Sequence, residues 1–222
     1  MKDLESRLWT GSLSRAGGLL LALLLVVAFA FLVIQVTQEG VITRFDISFA
    51  QAVNDAVWGS RALVGLALVV SFLGSPAWFY GVIGVAAIYF WRRGDRDVVL
   101  FLVGTNAFGG LIDTLVKSAI DRPRPQLEHP VAEALGMSFP SGHAMATTVG
   151  YGSLLVCFLL MIPSGWRKWV VAAYLVAIVL VATSRVVLGV HYVSDVVGGF
   201  VLGCAWLIAC VALLHTNRTF TS

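Results

Sequence analysis

The run from Gly17 to Val36, GGLLLALLLVVAFAFLVIQV, decides the class of fold. It holds no charged residue, and about 20 mostly apolar residues suffice for a helix to cross the hydrocarbon core of a bilayer. A secretory leader has an apolar core of only about 7–15 residues. The small residues Ala28 and Ala30 have the spacing of a cleavage site, but apolar chain continues beyond them. The segment therefore reads as a retained span.

Outward from this run the rest of the chain keeps the same character. Of its 222 residues, 59% are hydrophobic and 12% are charged, with a mean hydropathy of +0.89. Soluble domains ordinarily carry about 25% charged residues. Further spans are expected at approximately 62–91, 98–118, 142–162, 169–188 and 195–214. The expected architecture is all-α: a polytopic membrane bundle of about six transmembrane helices, forming a single domain over residues 1–222. Region 62–91 is long and contains Gly74-Ser75-Pro76. Pro76 has no N–H to give a helix interior, which predicts a break there, with a short half-helix before it and a full span after it.

Charge orients the bundle. Lys2, Arg7 and Arg15 precede the first span, Arg92, Arg93 and Arg96 follow the second, and Arg167 and Lys168 follow the fourth. Six spans place these on one side with both termini and Arg218, and the positive-inside rule makes that side cytoplasmic. Lys117, Arg122, Arg124, Arg185, His143 and His191 all fall on the opposite side. So does segment 37–60, where Phe45, Phe49, Val53 and Val57 follow one face of a helix lying in the interface. The net charge of +3 is spread along the chain and argues against a nucleic-acid partner. Cys157, Cys204 and Cys210 lie in apolar runs and read as packing residues. Gly199 and Gly203 have the small-xxx-small spacing of close helix packing; oligomeric state stays open.

Three fragments carry the chemistry: Lys117 through Arg124-Pro125, Pro140-Ser141-Gly142-His143, and Ser184-Arg185 with His191 and Asp195. Ser141 and Gly142 precede a span whose first N–H groups lack intrahelical partners, which makes either a phosphate cradle or a simple helix cap. Pro163-Ser164-Gly165 repeats that tripeptide without the histidine and is expected to be only a turn. Lys117, Arg124 and Arg185 are suited to phosphoryl oxygens. Arg122 reads either as support for them or as facing headgroups, and Pro123 and Pro125 should keep this stretch extended. His191 and Asp195 share a helical face, so the carboxylate can fix the imidazole tautomer and free the other ring nitrogen to attack. Asp113 lies one turn before Lys117 and is expected to pair with it, making the lysine's burial tolerable. His129 and His215 lack such partners and read as solvated.

Together the fragments resemble the type 2 phosphatidic acid phosphatase (PAP2) family, which is related to the vanadium haloperoxidases. That family's motifs are a lysine, six residues and Arg-Pro; Pro-Ser-Gly-His; and Ser-Arg, five residues, histidine, three residues and aspartate. All are matched without substitution, over a core of residues 117–195. The resemblance implies that His191 is the nucleophile, oriented by Asp195, and that His143 is first general acid and then base. It implies that Lys117, Arg124, Ser141, Gly142 and Arg185 hold the phosphoryl oxygens, with Asp113 and Arg122 in support. The implied enzyme is a lipid phosphatase of the bacterial cytoplasmic membrane, with its site facing the exterior and with no cofactor or metal. Undecaprenyl diphosphate, phosphatidylglycerol phosphate, phosphatidic acid and lipid A phosphates are its candidate substrates, with the first two leading. The alternatives are a lipid phosphotransferase sharing the covalent step and a non-catalytic lipid carrier. A carrier would need neither the acid nor the nucleophile.

Overall fold

The structure, a computed structural model, describes residues 14–38 and 40–214. Lys2, Arg7, His215 and Arg218 lie outside the described residues. Among those described, eight α-helices and a 3-10 turn make up the regular structure, with no strand. In chain order they are α1 (Arg15–Thr37), α2 (Val41–Val57), α3 (Arg61–Phe72), α4 (Pro76–Arg92), α5 (Arg96–Ile120), α6 (Gly142–Phe158), α7 (Ser164–Val187) and α8 (Val193–Leu214). Helices α1, α5, α7 and α8 are each long and apolar enough to cross a membrane. The pair α3 and α4, bent by 40°, makes a fifth span if counted as one. Helix α6 has 17 residues and is continued by the 3-10 turn Leu159–Met161, in the fourth expected region.

The break between α3 and α4 falls where Pro76 predicts it. The Ser75 hydroxyl accepts from the Trp78 N–H at 3.1 Å, so Ser75 caps α4 while Pro76 takes its first position, where no N–H is needed. Pro163-Ser164-Gly165 differs from its expectation: it opens α7, with Pro163 as N-cap. Proline ends the preceding turn, and Ser164 and Gly165 fill a first helical turn whose N–H groups need no intrahelical partner.

Helix α6 is the axis of the bundle, packed against α4, α5, α7 and α8. Small residues permit this. A Cβ on Gly199 would lie 2.4 Å from the Ser141 carbonyl oxygen, and one on Gly203 would lie 3.0 Å from Thr148 Cβ. The pair thus seats α8 against α6 within the chain, the usual service of such spacing in membranes. The outer faces remain apolar: Leu20, Leu23, Val27 and Phe31 on α1 are all exposed. Lipid tails are as apolar as leucine, so nothing drives these side chains inward in a bilayer.

Within segment 37–60, Val41–Val57 is helical, as its spacing predicts, and Phe45 and Phe49 are exposed and stacked with ring centroids 5.4 Å apart. The inward face is a different one. It carries Asp46, Ala50, Asn54 and Val57, all buried. Two of these are polar, and both have partners: Asn54 donates to the His129 carbonyl at 2.7 Å, while Asp46 reaches the site described next.

Candidate active site

Two backbone hydrogen bonds and one from a side chain tie the three fragments together. The Ser141 N–H donates to the Asp195 carbonyl at 2.8 Å, and the Ser138 N–H donates to the Arg122 carbonyl at 2.8 Å. Arg124 Nη1 donates to the Val190 carbonyl at 2.6 Å. Helix α5 ends at Asp121, in the left-handed region with φ of 51°. The following residues, around Pro123 and Pro125, are non-helical, and the chain crosses the mouth of the bundle toward α6. The C-terminal end of α5, the N-terminal end of α6, the C-terminal end of α7 and the N-terminal end of α8 thus converge at one end of the bundle.

His191 sits in the short connection between α7 and α8. Gly189 turns the chain there with φ of +68°, and a Cβ at that position would press to 2.3 Å from Leu127 Cδ1. The imidazole is buried, 2% exposed. Its Nε2 lies 3.3 Å from Arg124 Nη1. A guanidinium can only donate, so Nε2 is the nitrogen with the free lone pair and Nδ1 carries the proton. Nδ1 faces Asp195 Oδ2 at 3.5 Å, an ion-pair separation longer than a hydrogen bond. Burial above all, opposed by Asp195 and assisted by Arg124 and Arg185, holds the imidazole down to about 4. At neutral pH the ring is therefore neutral, with its lone pair on Nε2.

The cations surround this ring in different ways. Arg124 is held by three backbone carbonyls: Nε donates to Gly136 at 2.9 Å, Nη2 to Leu135 at 2.9 Å, and Nη1 to Val190. Burial lowers its pKa, against the pull of Asp195. Arg185 Nη1 donates to the Ser71 hydroxyl of α3 at 2.5 Å, while its buried Nε has no partner within the protein. Lys117 pairs with Asp113 at 2.5 Å, as its spacing predicts. His143 opens α6 within the electrostatic reach of Arg185, His191, Lys117 and Arg124.

Ser141 does not act as a side-chain cap. It stands at the N-cap of α6 but makes no side-chain capping bond, and its fully buried hydroxyl has no protein partner. Buried polar groups without partners are rare. Here three of them, Ser141 Oγ, Arg185 Nε and His191 Nδ1, belong to the motif fragments, and the first two are not beside a carboxylate. Gly142 matters for a related reason: a Cβ there would lie 2.9 Å from both Lys117 Nζ and Asp113 Oδ2. Those atoms are the far ends of flexible side chains, so they would shift rather than unfold the bundle. Gly142→Ala should raise KM about tenfold by displacing one charge-assisted contact and leave the unfolding temperature within a few degrees. Kinetics and a thermal melt in detergent check both.

Several members of the site were not legible in the sequence. Arg122, left open between support and headgroups, is buried at 6% exposure. Its Nη1 meets Asp195 Oδ1 at 2.5 Å, its Nη2 meets Asp46 Oδ2 at 2.8 Å, and its plane lies over the Tyr192 ring at 4.4 Å. Ser138 donates its hydroxyl to Asp195 Oδ2, and the Tyr192 N–H donates to the same oxygen at 2.8 Å. Asp46, Ser71, Ser138 and Ser194 belong to no motif, and their residue types gave no signal. His129 is exposed, as expected, with its ring against Trp58 at 4.4 Å.

The chain is similar to known proteins in sequence and in fold. The sequence profile of the PAP2 superfamily matches residues 98–219. Phosphatidylglycerophosphatase B of Bacillus subtilis is 33% identical over 151 residues, covering 66% of this chain and 70% of the relative. A lipid A 1-phosphatase of Rhizobium etli is 33% identical over 126 residues, covering 53% of this chain and 50% of that protein. Among solved structures, a transmembrane PAP2 type phosphatidylglycerolphosphate phosphatase from Bacillus subtilis superposes with a TM-score of 0.79 at 27% identity. The match covers 90% of this chain and 98% of that one.

Proposed function

Because the chain belongs to the PAP2 superfamily and is thereby a membrane phosphatase, we propose that it hydrolyses a lipid phosphate through a phosphohistidine on His191. The observation that carries this reading is the pair of buried, unpartnered groups, Ser141 Oγ and Arg185 Nε, beside a neutral imidazole whose Nε2 lone pair faces Arg124. A phosphoryl group would satisfy both.

In the proposed reaction, phosphoryl oxygens take the Arg124 fork, Arg185, Lys117, the Ser141 hydroxyl and the N–H groups at the start of α6. Arg124 Nη1 then turns from Nε2 to the substrate, and Nε2 attacks phosphorus. The P–O bond to the lipid breaks, and His143 protonates the departing oxygen. His143 next takes a proton from water, which attacks the phosphohistidine and releases inorganic phosphate. Positioning and charge neutralisation do most of the work in phosphoryl transfer, and here the cations supply both. Among the described residues no three His, Cys, Asp or Glu side chains converge as a metal site. Phosphate release should therefore persist undiminished in excess chelator. Loss of activity restored by added magnesium would contradict this.

The proposed setting is a single domain over residues 1–222, with six spans counting α6, both termini cytoplasmic, and the site at the outer face of a bacterial cytoplasmic membrane. The cations at the turn after α4 and in the first turns of α7 support that orientation. Phosphatidylglycerol phosphate is the favoured substrate, since two relatives are named for it. Phosphate release in detergent from phosphatidylglycerol phosphate, undecaprenyl diphosphate, phosphatidic acid and a soluble ester tests the reading. Release from no lipid by a folded preparation, or transfer to an acceptor lipid without inorganic phosphate, would overturn it.

A further inference from the structure

We propose that Asp46, on α2 and outside residues 98–219 matched by the family profile, is a positioning residue that acts on the His191–Asp195 pair through Arg122. This deepens the function proposed above and rests on it.

Asp46 is 1% exposed and Asp195 is fully buried. Isolated carboxylates at such depth are strongly disfavoured, and each needs a counter-charge and satisfied lone pairs. One guanidinium serves both. Arg122 presents Nη1 to Asp195 at 2.5 Å and Nη2 to Asp46 at 2.8 Å, with its plane fixed over Tyr192. Asp46 is anchored in turn at the start of α8. Its Oδ1 accepts the Ser194 N–H at 3.1 Å, where a helix N-terminus favours negative charge, and its Oδ2 accepts the Ser194 hydroxyl. Ser194 also accepts from Arg122 Nη1 at 2.7 Å, closing a ring of hydrogen bonds.

The consequence concerns which charge Asp195 has to offer. A guanidinium bound to Asp195 alone would neutralise it and weaken its hold on the His191 Nδ1 proton. Shared with Asp46, the three groups carry a net charge of −1, and Asp195 keeps a basic oxygen toward the imidazole. Arg122 also fixes the rotation of the Asp195 carboxylate, since it occupies Oδ1 and leaves Oδ2 to face Ser138, Tyr192 N–H and His191. Asp46 contacts neither His191 nor the phosphate cradle, so its influence falls on the reacting step and not on substrate binding.

Asp46→Asn keeps the shape and the Ser194 contact but removes the charge. It should lower kcat about 10- to 100-fold, as loss of an outer partner of a reacting group typically does, with KM within twofold of wild type. Arg122→Lys keeps one charge but cannot reach both carboxylates, and should show the same split. Combining Asp46→Asn with Arg122→Lys should cost little beyond the Arg122→Lys variant alone, because the two act in series. Equal kcat in Asp46→Asn and wild type, a change confined to KM, or multiplying losses in the double variant would each overturn the proposal. Where Asp46→Asn does not fold, Arg122→Lys decides alone: wild-type kcat overturns the proposal, and a kcat loss at constant KM supports it. A wild-type protein that releases no phosphate would instead sink the phosphatase reading. Nitrogen-15 shifts of the imidazoles then still test the positioning claim, by whether Arg122→Lys disturbs the His191 tautomer.

Discussion

His191→Ala should abolish phosphate release, with a loss of roughly 10⁵- to 10⁶-fold in kcat, the scale on which removal of a nucleophile acts. In the proposed reaction the ring supplies the attacking atom, Nε2, and alanine leaves the cations with a substrate to hold and no nucleophile beside it. Stability should change little. Asp195 keeps Arg122, Ser138 and the Tyr192 N–H as donors, so no buried charge is stranded. A thermal melt close to wild type beside lost turnover is the expected pattern. Radiolabelled phosphate should stay on wild-type protein after a rapid quench and be missing from the variant; labelling of both would remove His191 from the nucleophile's role.

The same ring sets a pH expectation. Protonation of Nε2 blocks attack, and an ordinary histidine would be half protonated near pH 6.5. Burial moves this group to about 4, so the neutral, attacking form is kept as pH falls through 6 and 5 and is lost only below that. Phosphoenzyme formation from an aryl phosphate, whose leaving group needs no proton from His143, should hold constant down to about pH 5 once the substrate's own second ionisation is corrected. An acid limb centred near 6.5 would show a solvated ring instead of a buried one.

How legible was all this in the sequence? The motif side chains stood out because cations, imidazoles and carboxylates are costly in an apolar chain, and hydropathy marked the helices that carry them. The break at Pro76 was legible from proline's missing donor alone. Asp46 was not. It lies in a stretch already rich in polar residues, among Arg44, Gln51, Asn54 and Asp55. Only the packing of α2 against α7 and α8 separates the carboxylate that points inward from those that face solvent. Apolar spacing also pointed to the Phe45–Phe49 face, which is the exposed one, because hydrophobic periodicity marks the lipid side of a membrane helix as readily as its core side. Arg122 was ambiguous for a similar reason: its fate depends on Asp46, a residue 76 positions away that no local pattern links to it. The count of spans depends on length, and α6 at 17 residues is shorter than its hydropathy alone suggested.

Asp195→Asn is the variant in which this buried charge arrangement should act most strongly on both activity and stability. A carboxylate only accepts, and every neighbour of Asp195 is placed to donate: Arg122 to Oδ1, and Ser138, the Tyr192 N–H and the His191 Nδ1 proton toward Oδ2. An amide has one accepting end. If its oxygen faces Arg122, its NH₂ confronts the Tyr192 N–H and His191. The imidazole then relieves the clash by moving its proton to Nε2, which removes the attacking lone pair. If its oxygen faces His191, its NH₂ meets Arg122 and leaves Asp46 as that cation's sole counter-charge. The first arrangement predicts a kcat loss of about 10⁴-fold, as seen when an amide forces the wrong tautomer on a catalytic histidine. Both predict destabilisation of about 1–3 kcal/mol, the cost of leaving a buried donor unsatisfied while Arg122 keeps Asp46 as its counter-charge. His191→Ala and Asp195→Asn are thus distinguishable: both are nearly inactive, but only the second should melt below wild type. Turnover of Asp195→Asn within tenfold of wild type would mean that Asp195 neither sets the His191 tautomer nor stabilises the charge that develops on the ring during attack.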